Sequence, residues 1–476
     1  MKQVTRLSVF IALLIVQCHV SNAQILYNSA FAYLTNTNLP TPSAAFVREY
    51  SANLSIICTY ITPRLYPHLI MVDAVSGYTS PAIPLDQMQY VSDMRIDNGY
   101  VYFCGISNNT LSPYPSNACY GFVDINAFLS TTPSSYNVEY RYIDNLTTNT
   151  DVHLFRMQVY NDGTNDKLVI LGSEKIPSSL ILASFPFINI NSYISPTYIS
   201  CLSQLFVLEC TNPISPSPLT KILFVNSDNT NECVCDMTLT NSYVAIVGYD
   251  LMDNSKAYIH PCDKTNVLGT FNHRYEYTIP YPTIFNGYRC CALDNDNIAI
   301  ANLTDALGFY GIRTRFVDMQ TMTMFNSQEF PIPEKTEVVD MVYSKIPKTL
   351  LMLSHFDFLG SNNDDYVFLR INPFAINPYP ATGIVDVSMN YYSSMDVLGQ
   401  SYFIATGGNY GFIKHVTLDI PTTLCYMNNT IHMEILPNIT ITPNTFSYDI
   451  VPWNITPTSP AISFMAVSHS IRCVQY

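Results

Sequence analysis

A short phrase recurs along this chain: an aspartate inside an apolar segment, then a few turn-forming residues, then a second apolar strand that ends near Gly or Ser. Its clearest copy is VSDMRI at residues 91–96, followed by VYFCG at residues 101–105. One small β unit repeated along a chain is the signature of a repeat architecture such as a closed ring of sheets. This phrase therefore constrains the fold more than any other feature of the sequence.

About seven copies of the phrase follow one another, roughly 50 to 80 residues apart. They begin at residues 91, 154, 234, 289, 339, 395 and 448. The intervals contain further short runs rich in Val, Ile, Tyr and Phe, which is typical of antiparallel strands joined by turns. Helical periodicity is missing, and the 30 prolines would interrupt most helices. We predict an all-β fold, a single β-propeller of seven blades with four antiparallel strands each.

The length and composition agree with one repeat domain over residues 24–476. Of the 476 residues, 48% are hydrophobic and 12% are charged, which supplies ample apolar surface for a core. Repeat folds exceed the usual domain size because each unit packs against its neighbours. An open ring would leave an unpaired edge, so we expect N-terminal strands, within residues 25–32 or 55–60, to pair with the last C-terminal strands.

The N-terminus has the features of a signal peptide over residues 1–23. Lys2 and Arg6 make its start positive, residues 7–16 are apolar, and the small residues of S-N-A at 21–23 suit cleavage before Gln24. We therefore expect a secreted, cell-surface or periplasmic protein. No second apolar run has the length of a membrane helix, so we predict no membrane span in the mature chain.

Export changes how the cysteines are interpreted. Of 13 cysteines, Cys18 lies in the signal segment, which leaves an even number for an oxidising compartment and favours disulfides over metal ligation. Cys104 and Cys119 close and open consecutive strands and could form a bridge. Cys201 and Cys210 could bridge the longest interval between copies of the phrase. The other cysteines cannot be paired from the sequence.

The repeated aspartate raises the question of a metal site. If it lies on the innermost strand of each blade, its copies would form a ring of carboxylates around a central channel. Like charges at close range repel, so calcium or another hard cation is a candidate ligand. The alternative is that each carboxylate accepts hydrogen bonds from backbone N–H groups of a turn or a neighbouring blade. The candidate metal ligands are Asp93, Asp236, Asp340, Asp396 and Asp449.

Two copies of the phrase lack the aspartate, since we place Arg156 and Cys290 at the equivalent position. No Gly-x-Ser-x-Gly elbow or Gly-rich phosphate loop is found, so no catalytic residue is assigned. A net charge of −14 argues against a nucleic-acid partner. The 35 tyrosines include loop residues that would suit stacking on sugars or gripping a peptide.

The aspartate phrase with its following strand, as at residues 101–105, after an exported N-terminus, resembles the poorly characterised secreted β-propeller proteins common in Bacteroidetes. The resemblance implies a propeller with an unassigned ligand. We expect an exported, non-catalytic binding or interaction protein without a cofactor, whose ligand is a protein, peptide or glycan. The alternative is a polysaccharide- or lactone-directed hydrolase or lyase with carboxylates at the channel mouth.

Overall fold

The structure is a computed structural model in which most of the described residues belong to β-strands. It describes residues 29–35, 42–61, 66–73, 79–107, 118–130, 136–144, 152–174, 204–225, 232–250, 253, 255–278, 289–306, 309–332, 336–346, 348–356, 365–374, 381–386, 392–398, 402–407, 412–417, 427–431, 434–435, 441–445, 450–452, 454–458 and 468–471. The predicted signal segment, residues 1–23, lies outside them.

The strands form seven antiparallel sheets, numbered here as blades 1 to 7. Blade 1 contains β2 (Pro42–Glu49), β3 (Leu54–Ile61), β4 (Pro67–Asp73) and β5 (Ile83–Pro84). Blade 2 contains β6 (Met88–Asp97), β7 (Tyr100–Ser107), β8 (Ala118–Asp124) and β9 (Val138–Asp144). Blade 3 contains β10 (Val152–Asn161), β11 (Asp166–Glu174), β12 (Gln204–Thr211) and β13 (Leu219–Phe224). Blade 4 contains β14 (Glu232–Leu239), β15 (Tyr243–Asp250), β16 (Lys256–Asp263) and β17 (His273–Thr278).

The other three blades repeat the pattern. Blade 5 contains β18 (Arg289–Ala292), β19 (Asn297–Ala306), β20 (Phe309–Asp318) and β21 (Thr323–Ile332). Blade 6 contains β22 (Thr336–Ser344), β23 (Thr349–Phe356), β24 (Asp365–Ile371) and β25 (Ala381–Asp386). Blade 7 contains β26 (Tyr392–Leu398), β27 (Tyr402–Gly407), β28 (Phe412–Thr417) and, from the start of the chain, β1 (Ser29–Thr35).

The blades close into a ring. The first strand of each blade contacts the first strand of the next, in the order β2, β6, β10, β14, β18, β22, β26 and back to β2. These seven strands therefore surround a central channel, and the predicted seven-bladed propeller is confirmed.

Turns and short helices join the strands. Asn98 and Gly99, at φ of 46° and 79°, turn the chain between β6 and β7, as expected of an Asn-Gly hairpin. The short helices are α1 (Asn126–Leu129) in blade 2 and α2 (Val267–Thr270) in blade 4. Within the described ranges, no helix reaches the length and hydrophobicity needed to cross a bilayer.

The N-terminal strand closes the ring. β1 pairs antiparallel with β28, and on its other side with β34 (Ser468–Ile471), the last described strand. This confirms the predicted pairing of the two chain ends and places it near the first of the two predicted segments. The second segment, residues 55–60, belongs to β3 inside blade 1 and takes no part in closure.

After blade 7 the chain runs backwards around the outside of the ring and adds a fifth strand to the outer edge of most blades. These outer strands pair in turn with β25, β21, β17, β13, β9 and β1. They are β29 (Met427–Ile431), β30 (Glu434–Ile435), β31 (Ile441–Thr445), β32 (Ile450–Pro452), β33 (Asn454–Thr458) and β34. The outermost strands of six blades are thus short, two to five residues long, and short edge strands disfavour edge-to-edge association.

This C-terminal segment corrects one predicted copy of the repeat. The copy beginning at residue 448 is not a blade, because β32 is a single outer strand paired with β13 of blade 3. Blade 1, residues 42–84, is the seventh blade instead. It lacks the aspartate phrase because Phe46 occupies the aspartate position, as described below.

The apolar core lies between adjacent blades, because the strands bury both faces. Along β7, Val101 and Phe103 belong to the cluster between blades 1 and 2, whereas Tyr102 and Cys104 belong to the cluster between blades 2 and 3. Two further clusters fill the space between blades 3, 4 and 5 and between blades 5 and 6. Burial on both faces explains why the strands read as continuous apolar runs.

The same alternation overturns the predicted Cys104–Cys119 disulfide. Cys104 lies opposite Tyr120, and Cys119 lies opposite Gly105, so the two thiols point to opposite faces of blade 2 and are free. Cys210 is also a free buried thiol, and its predicted partner Cys201 lies outside the described residues. Burial raises the pKa of Cys104 to about 12 and that of Cys210 to about 11, so both are unreactive thiols at neutral pH.

Blade 4 encloses a charged cluster away from the channel. The buried Glu232 carboxylate accepts hydrogen bonds from His260 Nε2 and, at 2.6 Å, from Arg274 Nη1. His260 Nδ1 lies 2.9 Å from the carbonyl oxygen of Phe271, and the Arg274 guanidinium lies 3.8 Å from the centre of the Tyr258 ring. Burial alone would raise the pKa of Glu232, but His260 and Arg274 hold it below its usual value. One ionised carboxylate therefore joins β14, β16 and β17.

Candidate functional site: the central channel

A β-bulge in the innermost strands positions the residues that face the channel. The pairing register shifts at this point in β2, β6, β10, β14, β22 and β26, and β18 begins at the corresponding residue. A bulge bends a strand and re-aims the side chain that follows it. We call the residues at this position the first tier: Phe46, Asp93, Arg156, Asp236, Arg289, Asp340 and Ser394.

Side chains two residues apart share a face of a strand, so a second tier follows the first. All of its members and most of the first tier line one cavity, about 350 Å³ in volume, in the centre of the ring. The second tier comprises Arg48, Arg95, Gln158, Thr238, Cys291, Val342 and Asp396.

The first-tier aspartates fasten blades 2, 4 and 6 to the blades that follow them. Oδ1 of each carboxylate accepts the N–H of the residue that follows it, and Oδ2 accepts an N–H from the innermost strand of the next blade. That donor always follows the first-tier residue of the next blade. The pairs are Asp93 with Met157 at 3.0 Å, Asp236 with Cys290 at 3.0 Å and Asp340 with Met395 at 2.9 Å.

The second tier repeats this contact at two places. Thr238 Oγ1 accepts the N–H of Ala292 at 2.9 Å, and Asp396 Oδ2 accepts the N–H of Glu49 at 2.8 Å. The second of these joins blade 7 to blade 1. The structure thus shows the backbone hydrogen bonds that the sequence offered as the alternative to a metal site.

Charges alternate in sign around the first tier from blade 2 to blade 6: Asp93, Arg156, Asp236, Arg289 and Asp340. Arg156 Nε donates to Asp236 Oδ1 at 3.1 Å. In blades 7 and 1 the first tier is uncharged, with Ser394 and Phe46. The Arg48 side chain of the second tier completes the alternation there, so three arginines and three aspartates form a ring without net charge.

Arg48 holds this junction through several contacts. Its Nη2 lies 3.1 Å from Asp93 Oδ1, and its Nη1 lies 4.0 Å from Asp340 Oδ2 and donates to Ser394 Oγ at 2.9 Å. Burial would lower the pKa of Arg48, but Asp93, Asp340 and Asp396 raise it above its usual value. Arg48 therefore remains a cation that ties blade 1 to blades 2, 6 and 7.

Asp93 is the most heavily bonded carboxylate of the channel and is 1% exposed. It contacts both Arg48 and Arg95 and accepts the N–H groups of Met94 and Met157. Burial alone would raise its pKa, but Arg95, Arg48 and Arg156 together with the Met157 N–H lower it. Asp93 is therefore ionised at neutral pH.

The predicted metal ligands can now be located. Asp93, Asp236, Asp340 and Asp396 all line the channel, whereas Asp449 lies outside the described residues. Over the described part of the chain, no three His, Cys, Asp or Glu side chains gather closely enough to share a metal ion. Arginines lie between the carboxylates instead. The calcium ion considered from the sequence remains a prediction.

Three of the four channel arginines were not predicted from the sequence. Arg156 was assigned correctly, but Cys290 was assigned to the equivalent position of blade 5, one residue beyond Arg289. Arg48 and Arg95 were not singled out. Arg95 follows Asp93 by two residues, so strand alternation could have placed both on the channel face. Arg48 gave no such signal, since Phe46 hides the repeat in blade 1.

Comparison with known proteins adds little to this description. No known protein family and no curated protein matches the sequence. Among solved structures, the chain is similar to a Bacteroides ovatus protein described as a dipeptidyl aminopeptidase IV, with 9% identity over 76% of this chain and a TM-score of 0.34. The chain spans 57% of the length of that protein. The seven sheets, arranged in a closed ring, establish by themselves that this chain is a β-propeller.

Proposed function

We propose that this chain is a non-catalytic binding protein that takes its ligand in the central channel. The supporting observation is a polar cavity of about 350 Å³ to which all seven innermost strands contribute. Small-molecule sites in proteins have volumes of roughly 300–1,000 Å³. The channel therefore has room for a small molecule or for one residue of a peptide or glycan.

The bonding of the carboxylates favours binding over catalysis. A general acid or base must take up and release a proton during the reaction. In the first-tier aspartates, both oxygens accept backbone N–H groups of two strands. Protonating such a carboxylate weakens the joint between two blades. These aspartates are suited to a rigid wall.

Asp396 supports a second candidate function, a hydrolase or lyase acting on a polysaccharide or lactone. Burial and the neighbouring Asp340 raise the pKa of Asp396, against the opposing effects of Arg48 and two backbone N–H groups. A carboxyl group with a raised pKa beside a second carboxyl group is the usual arrangement of a general acid and its partner. On this hypothesis Asp396 donates the proton and Asp340 is the base or nucleophile.

Filling the channel tests the proposed site. Val342 lines the cavity, and Val342→Phe would occupy part of it, whereas Leu219→Phe adds the same ring at a position that is 62% exposed. In a thermal-shift screen of sugars, short peptides and small metabolites, we expect ligands that raise the Tm of the wild type and of Leu219→Phe by at least about 2 °C at 100-fold excess over Kd. Val342→Phe should show no shift.

Two outcomes would count against this proposal. Ligands that stabilise both variants equally would place the binding site elsewhere on the propeller. Consumption of a bound compound, with loss of turnover but not of binding in Asp396→Asn, would favour the enzyme. The Tm of each variant without ligand shows whether the channel still folds.

We also propose that the protein is exported by a signal peptide, on the basis of the charged and apolar pattern of residues 1–23. Expression of the full sequence in a secreting host should yield a product whose intact mass corresponds to a chain starting at Gln24. A product that retains residues 1–23 inside the cell would contradict this prediction. The compartment of the protein also matters for the buried free thiols described above, because cysteines stay reduced in a reducing compartment and tend to form disulfides in an oxidising one.

A further inference from the structure

Two charged side chains of the second tier stand outside the neutral ring of six. They are Arg95 on β6 of blade 2 and Asp396 on β26 of blade 7. Blades 2 and 7 flank blade 1, whose β2 contacts both β6 and β26. The same cavity therefore has one additional positive group and one additional negative group on either side of blade 1.

Arg95 presents unused donors to the cavity. Its Nη1 donates to Asp93 Oδ1 and to the carbonyl oxygen of Met94, both at 3.0 Å. Its Nε and Nη2 donate to no residue that the structure describes, and the side chain is 22% exposed, against 1% for Asp93. Nε–H and Nη2–H form one edge of the guanidinium, the edge that binds a carboxylate through two parallel hydrogen bonds.

Asp396 has the complementary property. Its Oδ1 accepts the N–H of Val397 and its Oδ2 accepts the N–H of Glu49, both at 2.8 Å. A carboxylate offers about four acceptor positions, so about two stay available. None of the ion pairs between described residues includes Asp396.

The pKa shifts of Arg95 and Asp396 both disfavour the charged form of the side chain. Burial lowers the pKa of Arg95, and the neighbouring Asp93 offsets this only in part. Burial raises the pKa of Asp396, and Arg48 offsets this only in part. Each charged form is thus less stable than in water, and a counter-charge brought by a ligand would stabilise it.

We propose that the second tier binds a small zwitterion, with its carboxylate on the Nε–Nη2 edge of Arg95 and its ammonium group on Asp396. The chemical class is a free amino acid, an ω-amino acid or a short peptide with both termini free. This assignment rests on the proposed binding function of the channel and specifies its ligand. Gln158 and Thr238 continue the same tier as neutral polar groups and leave space for the body of the ligand.

Calorimetric titration of the full chain with glycine, 4-aminobutanoate and 6-aminohexanoate tests this assignment, because the series varies the distance between the two charges. Butanoate and butylamine are the singly charged controls. At the best chain length we expect binding at least about tenfold tighter than that of either control. Equal affinity for the zwitterions and the singly charged compounds, or no binding of any zwitterion, would overturn the proposal.

Two variants assign each charge to its residue. Arg95→Gln should reduce the affinity for the best zwitterion to that for butylamine, and Asp396→Asn should reduce it to that for butanoate. Asp396→Asn keeps an oxygen for the Glu49 N–H, so the joint between blades 7 and 1 can form. The matched controls Lys221→Gln and Asp253→Asn, which change charges outside the channel, should bind like the wild type.

The inference and the proposed function fail in different ways. A zwitterion whose binding is lost in Val342→Phe but is unchanged in Arg95→Gln and Asp396→Asn would refute the assigned site and leave the channel as the binding site. Zwitterions that bind Val342→Phe as tightly as the wild type would refute both.

Discussion

Replacing Asp93 with alanine is expected to lower the free energy of unfolding by about 3–5 kcal/mol, the usual cost of removing one partner from a buried ion pair. Asp93 is 1% exposed and lies between Arg48 and Arg95. Its loss leaves those two cations in a buried site with less negative charge. It also removes the acceptor of the Met157 N–H, and with it a hydrogen bond between blades 2 and 3.

Equilibrium unfolding in urea measures this effect, and two further variants interpret it. Asp93→Asn keeps an oxygen for one backbone N–H but removes the charge, so its loss of stability should lie between those of the wild type and Asp93→Ala. Asp253→Asn changes a carboxylate that is 44% exposed and should change stability little. A loss below about 1 kcal/mol in Asp93→Ala would show that the contacts between blades at this residue do not hold the ring together.

The pH dependence of the same protein provides an independent check. The pKa of Asp93 is lower in the folded than in the unfolded chain, where it is about 3.9. Its contribution to stability is therefore fully present above about pH 4 and is lost as the pH falls through the folded pKa. In urea unfolding between about pH 3 and pH 6, the wild type should lose more stability on acidification than Asp93→Asn does.

A second large effect is expected inside blade 4, where Glu232→Ala should also cost about 3–5 kcal/mol. The Glu232 carboxylate accepts hydrogen bonds from both His260 and Arg274 and is 1% exposed. The other ring nitrogen of His260 faces the carbonyl oxygen of Phe271. The two ring nitrogens of His260 thus face a carboxylate and a carbonyl oxygen, and the Glu232 carboxylate is shared by His260 and Arg274.

Glu232→Gln separates charge from shape at this site. It preserves the side-chain volume and one acceptor oxygen but deprives the buried Arg274 guanidinium of the Glu232 carboxylate, so it should be nearly as destabilising as Glu232→Ala. Urea unfolding of Glu232→Gln, His260→Gln and the double variant forms a cycle. An interaction energy near zero between Glu232 and His260 would contradict the cluster described here. Since the pKa of Glu232 is lowered by folding, its stabilisation is likewise lost in acid, below about pH 4.3.

The blade count shows how far a repeat can be followed without coordinates. Six of the predicted copies are blades 2 to 7, because each keeps an apolar inner strand, a turn and a second apolar strand. The seventh copy was misplaced. The phrase around residue 449 resembles a blade strand locally, but its partner is the outer edge of blade 3. Blade 1 was overlooked because Phe46 replaces the charged residue that marks the repeat elsewhere.

At the candidate site, the sequence predicted the acidic residues but not most of the basic residues that pair with them. The four described aspartates were predicted at equivalent positions around one channel, and all four line it. Asp93, Asp236 and Asp340 occupy equivalent positions, whereas Asp396 lies two residues beyond Ser394, in the second tier. Their counter-charges could not be predicted, since the partner of each carboxylate lies on another blade. Arg48 and Ser394 form a hydrogen bond across 346 positions of sequence. No local pattern reports such a contact.

The sequence by itself determined the strands, their turns and the repeating unit, because alternation of side chains and turn chemistry are properties of a few neighbouring residues. Only the tertiary structure decided which segment completes the ring, how the C-terminal strands pass around its outside, and which charges meet in the channel. Those outcomes depend on closure of the ring, which brings the first and last blades together and places seven side chains from distant segments at one level of a single cavity.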